Sequence, residues 1–119
     1  QYAHLSLKLL TVAAEAAYHN GLDLYHYVAP SGETLRLPYE FYPDFYRTGD
    51  ASIKGGFYTG ESDRMAKAGD STGLFEVGLA RYPDSDTLRQ VIQSVDRTAS
   101  EHISLLLGPT VLTHGISVE

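Results

Sequence analysis

The side chains that could move a proton near neutral pH are unevenly spread along this chain. Tyr2 and His4 stand two residues apart at one end, and His19, His26, His102 and His114 follow at wider intervals. A phenol or an imidazole in a suitable setting acts as general acid or base. No histidine sits at the HExxH spacing from a second histidine and a glutamate, so no metal site is expected. The absence of cysteine removes thiolate nucleophiles, thiolate metal ligands and disulfides together. No GxSxG elbow or dinucleotide fingerprint occurs, and the glycine-rich stretch GGFYTGESD lacks the lysine of a phosphate-binding loop. His19 and His26 flank a connector and read as solvated or capping groups, and His102 and His114 read the same way. The tyrosine-rich run PYEFYPDFY reads as helix packing before it reads as a sugar platform.

These residues must be positioned by helices. From Tyr2 to Asn20 there is no glycine or proline, and the polar residues His4, Lys8, Thr11, Glu15 and His19 recur at steps of four, three, four and four. That spacing predicts a helix with one solvated stripe. Gly21 then serves as a left-handed stop, with Leu22 folding back on the last turn. Tyr2 falls about 140° around the helix from the middle of the stripe, beside Ser6, Leu9 and Ala13, which predicts that it faces inward. Pro30-Ser31-Gly32 is turn chemistry, and a second helix is expected from Ser31 to Thr34 or from Pro38 onward, kinked or ended by Pro43. Residues 48–73 read as a long glycine-rich surface loop able to act as a lid. GLFEVGLARYP predicts a short helix stopped by Pro83, DSDTLRQV a helix capped by Asp or Ser, and EHISLLLGP a last helix. TVLTHGISVE is the one candidate strand. The pattern is all-α: helical hairpins joined by loops of uneven length.

Composition narrows the partners. The net charge is −6, with nine Lys+Arg against fifteen Asp+Glu and no basic run, which argues against a nucleic-acid groove. No apolar run approaches the length of a membrane span. Nine tyrosines and no tryptophan give aromatic faces that carry a hydroxyl, suited to packing or to carbohydrate contact.

The block QYAHLSLKLLTVAAEAAYHNGLDLY resembles the helix and connector of the alginate-lyase-like polysaccharide lyases. In that family a tyrosine next to a histidine or glutamine opens an inner helix, a Leu/Ala run follows, and an N-G-(V/L)-D-L-Y signature ends it. The matching residues here are Tyr2 and His4, Leu5 to Ala17, and Asn20-Gly21-Leu22-Asp23-Leu24-Tyr25. The likeness covers about the first third of the chain and continues more loosely through SGETLRLPYEFYPDF.

The resemblance implies that residues 1–119 form part of an incomplete (α/α) toroid, a C-terminal portion whose partner is the N-terminal part of the same catalytic domain. It implies β-elimination on a uronic-acid polymer of alginate or glucuronan type, without metal or cofactor, in a periplasmic or secreted enzyme. Tyr2 takes the place of the catalytic tyrosine, with His4 and Arg81 as candidate substrate contacts. The family's Asn-His pair and arginine, which neutralise the substrate carboxylate, lie before this helix and are not among these residues, so this portion alone is expected to be inactive. Lys54, Arg64, Lys67 and Arg81 could supply a local basic cleft for a polyanion. The alternatives are a non-catalytic helical carbohydrate-binding or interaction module, and a small helical scaffolding domain.

Overall fold

The structure is a computed structural model, and it describes residues 2–48, 72–103 and 107–119. Helix α1 spans Tyr2–His19, α2 Arg36–Phe41, α3 Pro43–Thr48, α4 Gly73–Arg81, α5 Asp86–Ser94 and α6 Thr110–His114, with a 3₁₀ turn at Ser100–His102. The described residues hold no strand, only an isolated antiparallel bridge between Val28 and Thr34. The fold class is therefore all-α. None of the described helices is long and apolar enough to cross a membrane.

Local sequence explains most of the element ends. Leu22 N–H donates to the Ala17 carbonyl at 2.9 Å and Gly21 N–H to Tyr18 at 3.1 Å, while Gly21 takes φ 85°. This is the paired-bond stop that glycine makes inexpensive, and it turns the chain back along α1. Pro43 divides the aromatic run into α2 and α3, as its missing N–H requires. Ser85 caps α5, its hydroxyl accepting from Leu88 N–H at 3.4 Å. The 28–34 bridge closes over Pro30-Ser31, with Gly32 at φ 95°.

Helix α4 is the centre of the packing. Every residue from Gly73 to Leu79 is buried, so the helix has no solvent face, and it meets α1, α2, α5 and α6. Gly78 lets α2 approach: a Cβ there would lie 2.6 Å from the Tyr39 ring. Tyr39 forms a cluster with Tyr25 and Tyr82, with centroids 5.9–6.4 Å apart, and the Tyr82 hydroxyl donates to the Tyr25 carbonyl at 2.7 Å. Burial, with the nearby Asp23 charge, pushes the Tyr82 hydroxyl up to about 12. The run PYEFYPDFY is packing: Tyr39, Phe45 and Tyr46 are core residues.

Two expectations need correction here. Thr110–His114 is a helix, not a strand. A strand needs a partner ladder, and this segment instead packs on α4, the Thr110 hydroxyl donating to the Gly73 carbonyl at 2.7 Å. EHISLLLGP is not a helix over its described part: it begins within the 3₁₀ turn at Ser100–His102, and residues 104–106 lie outside the described residues. The 48–73 loop also falls outside them between 49 and 71, as do Lys54, Arg64 and Lys67.

Replacing Gly78 by alanine should cost about 2 kcal/mol, because the added methyl meets an immobile ring rather than a flexible tip. Urea denaturation followed by helical circular dichroism would measure it.

Candidate functional site

Helix α1 is built the other way round from the expected solvated stripe. His4, Lys8, Thr11 and Glu15 are buried, whereas Leu5, Leu9, Leu10 and Val12 are exposed, Leu9 at 57%. The periodic stripe is real, but from His4 to Glu15 it faces the protein, whereas His19 stays exposed as expected. The reason is that each polar residue in it meets a specific environment on the elements it packs against. His4 lies with its ring centroid 4.8 Å from that of Tyr46 and 6.0 Å from that of Phe75. The Thr11 hydroxyl bonds the Leu7 carbonyl at 2.8 Å and the Tyr39 hydroxyl. Burial lowers the pKa of the Lys8 ammonium.

Glu15 is the centre of the polar cluster. Its Oε1 accepts from the Tyr25 hydroxyl at 2.7 Å and from Arg81 Nε at 3.0 Å. Its Oε2 accepts from Arg81 Nη2 at 2.9 Å and pairs with His114 Nε2 at 2.9 Å. His19, one turn on, stands 3.5 Å from Oε2 with its side chain 72% exposed. Burial works to raise the Glu15 pKa, but the bonds from Tyr25, His114 and Arg81 outweigh it and hold the carboxyl below its usual range. The Tyr25 hydroxyl moves the other way: burial, then the charges and bonds of Tyr39 and Glu15, push it far above the ordinary phenol value. The Arg81 guanidinium also lies 3.7 Å from the Tyr18 ring centroid, a stacked cation–π contact. A cleft of about 700 Å³ opens beside this cluster, lined by Glu15, His19, Arg81 and His114 with Val12 and Ile116.

A second carboxylate repeats the device deeper in the fold. Glu76 on α4 is fully buried and receives Arg97 through Nε at 2.6 Å and Nη2 at 2.9 Å. His102 Nε2 reaches the same carboxylate at 3.1 Å, and its Nδ1 meets the Thr72 hydroxyl at 2.8 Å. Burial opposes ionisation, but His102 and Arg97 overcome it and the Glu76 pKa is lowered. His102 is thus a core residue and His114 a ligand of Glu15, which corrects the expectation that both are solvated or capping groups. His26 does fit that expectation: it is exposed and bonds Asp23 Oδ2 at 2.8 Å.

The three residues proposed for substrate are not brought together. Tyr2 opens α1, and its side chain lies outside the described residues; the positions sharing its face by helical spacing, Ser6, Leu9 and Ala13, are exposed rather than inward. His4 is enclosed against Tyr46 and Phe75. Arg81 is held by Glu15, about 20 Å along the helix axis from Tyr2 at 1.5 Å per residue. Glu15, Tyr25 and Glu76 are the polar residues that sequence reasoning passed over. The available signal was a lone glutamate inside the alanine-rich second half of α1.

Both glutamates have folded pKa values below their unfolded ones, so their contribution is complete above about pH 5 and is lost as the pH falls through the folded values. Urea midpoints should therefore drop as the pH is lowered from about 5 towards 3. Glu76→Gln should cost about 3 kcal/mol at neutral pH, since Arg97 would then be left facing a neutral amide, and should flatten that acid limb. Compared with protein-family models, curated proteins and solved structures, the chain matches none.

Proposed function

We propose that this chain forms part of the catalytic domain of a polysaccharide lyase, an (α/α) toroid that cleaves a uronic-acid polymer by β-elimination with Tyr2 as the proton-transfer residue. The resemblance of residues 1–25 motivates the reading, and one structural observation supports it. The face of α1 on which Tyr2 stands is the open one, bearing Ser6, Leu9 and Ala13, so the start of α1 is available to border a substrate cleft. A surface helix buries its apolar side. Here α1 buries its polar side and leaves Leu5, Leu9, Leu10 and Val12 outward, the construction of a helix with neighbours on both faces.

In the proposed reaction the Tyr2 phenolate takes the proton from C5 of a uronate. The C4–C5 double bond forms as the C4–O bond breaks, and the phenol returns its proton to the departing glycosidic oxygen. Neutralisation of the substrate carboxylate falls to the N-terminal part of the same domain. Tyr25 cannot take Tyr2's role: its hydroxyl is committed to Glu15 and its pKa is raised far above the working range. The enzyme acts on alginate or glucuronan, in the periplasm or outside the cell. The exposed apolar face also suits a non-catalytic interaction module, and activity separates the two readings.

In a protein that carries this chain within its complete domain, Tyr2→Phe should lower the release of unsaturated uronate, read by ultraviolet absorbance, by about a hundredfold to ten-thousandfold with the melting temperature unchanged. Activity within twofold of wild type would remove Tyr2 from the mechanism.

A further inference from the structure

The cleft beside Glu15 holds more hydrogen-bond donors than its carboxylate can accept. A carboxylate offers about four lone-pair sites. The Tyr25 hydroxyl, Arg81 Nε and Nη2 and His114 Nε2 fill four. His19 reaches the same Oε2 at 3.5 Å with its imidazole largely exposed, so its donor is left over for the cleft. Glu15 is the only acid among the lining residues, set against Arg81, His19 and His114. Its negative charge is matched by Arg81, and its four acceptor positions are occupied. Val12 and Ile116 add an apolar wall, and about 700 Å³ is ample for one sugar residue.

Relying on the lyase reading for the identity of the ligand, we infer that this cleft is a binding subsite for a single uronate residue. The carboxylate is received by His19 and by the Arg81 nitrogen not used on Glu15, and the C–H face of the ring lies against Val12 and Ile116. The cleft lies about 20 Å along α1 from Tyr2 and about 140° around it, so the sugar held there is not the one being cleaved. It is a second hold on the polymer or its product.

The test is a titration of the full chain with sodium glucuronate, glucose and acetate, followed by amide chemical shifts. Glucuronate should shift residues around Glu15, His19 and His114 saturably, whereas glucose and acetate at equal concentration should not saturate. His19→Ala, an exposed change that removes the 3.5 Å contact to Glu15 but leaves the bonds from Tyr25, Arg81 and His114 in place, should weaken glucuronate by about three- to tenfold. Glucose or acetate binding as tightly as glucuronate, or an unchanged affinity in His19→Ala, would overturn the assignment. Tyr2→Phe should leave the titration unaltered whatever it does to elimination, so the subsite and the catalytic reading fail separately.

Discussion

Burying the Glu15 carboxylate is the constraint around which the first half of the fold is arranged. A buried carboxylate is tolerable only when its charge is paired and its oxygens are occupied. Here the donors come from three other parts of the chain: Tyr25 from the connector after α1, Arg81 from the end of α4, and His114 from the end of α6. None can move alone without exposing an unpaired group at low dielectric. The α1 register, the return of the connector beneath it and the docking of α6 are therefore specified together. Arg81 is itself steadied by Tyr18 on the helix it binds, which limits the conformations from which the pair must be assembled.

The same constraint accounts for the sidedness of α1. With Glu15 and Thr11 committed to the interior, 3.6 residues per turn bring Lys8 and His4 inward as well. The leucines on the opposite side have no choice but to face out. The cost is an uncharged outer surface of Leu5, Leu9, Leu10 and Val12, which water penalises and which another apolar element would relieve. Polar contacts inside and apolar contacts outside are the arrangement expected of a helix that sits between two layers, since each face then finds a partner suited to it.

What could be read from sequence follows from how local each determinant is. The end of α1 at Gly21, the break at Pro43, the Ser85 cap and the stop before Pro83 depend on residues within a turn of the boundary, and the structure places them where the pattern does. Periodicity also found the stripe from His4 to His19. It could not tell which way the stripe faces, because the answer lies in Arg81 and His114, 66 and 99 residues further along the chain. The solvated reading of His102 and His114 failed for the same reason: each is fixed by a distant glutamate. The segment after Pro109 has the β-branched composition of a strand, but composition cannot supply the neighbouring strand that such a segment requires.

Glu15 and Glu76 share one design, a bidentate arginine with a histidine on the same carboxylate, and each ties a residue of the last third of the chain to α1 or α4. Among the described residues after α5, no large apolar side chain is fully buried, while Arg97, His102 and Thr110 are all tied to α4 or to groups upon it. The last third is thus fastened mainly by directional bonds, whereas the α2 to α5 layer is fastened by aromatic and aliphatic packing. Directional fastening locates a segment accurately without requiring bulk beneath it. It therefore leaves room at the α1–α6 seam, and the cleft beside Glu15 is the space that remains when two elements are joined through charges at one point instead of through a continuous apolar contact.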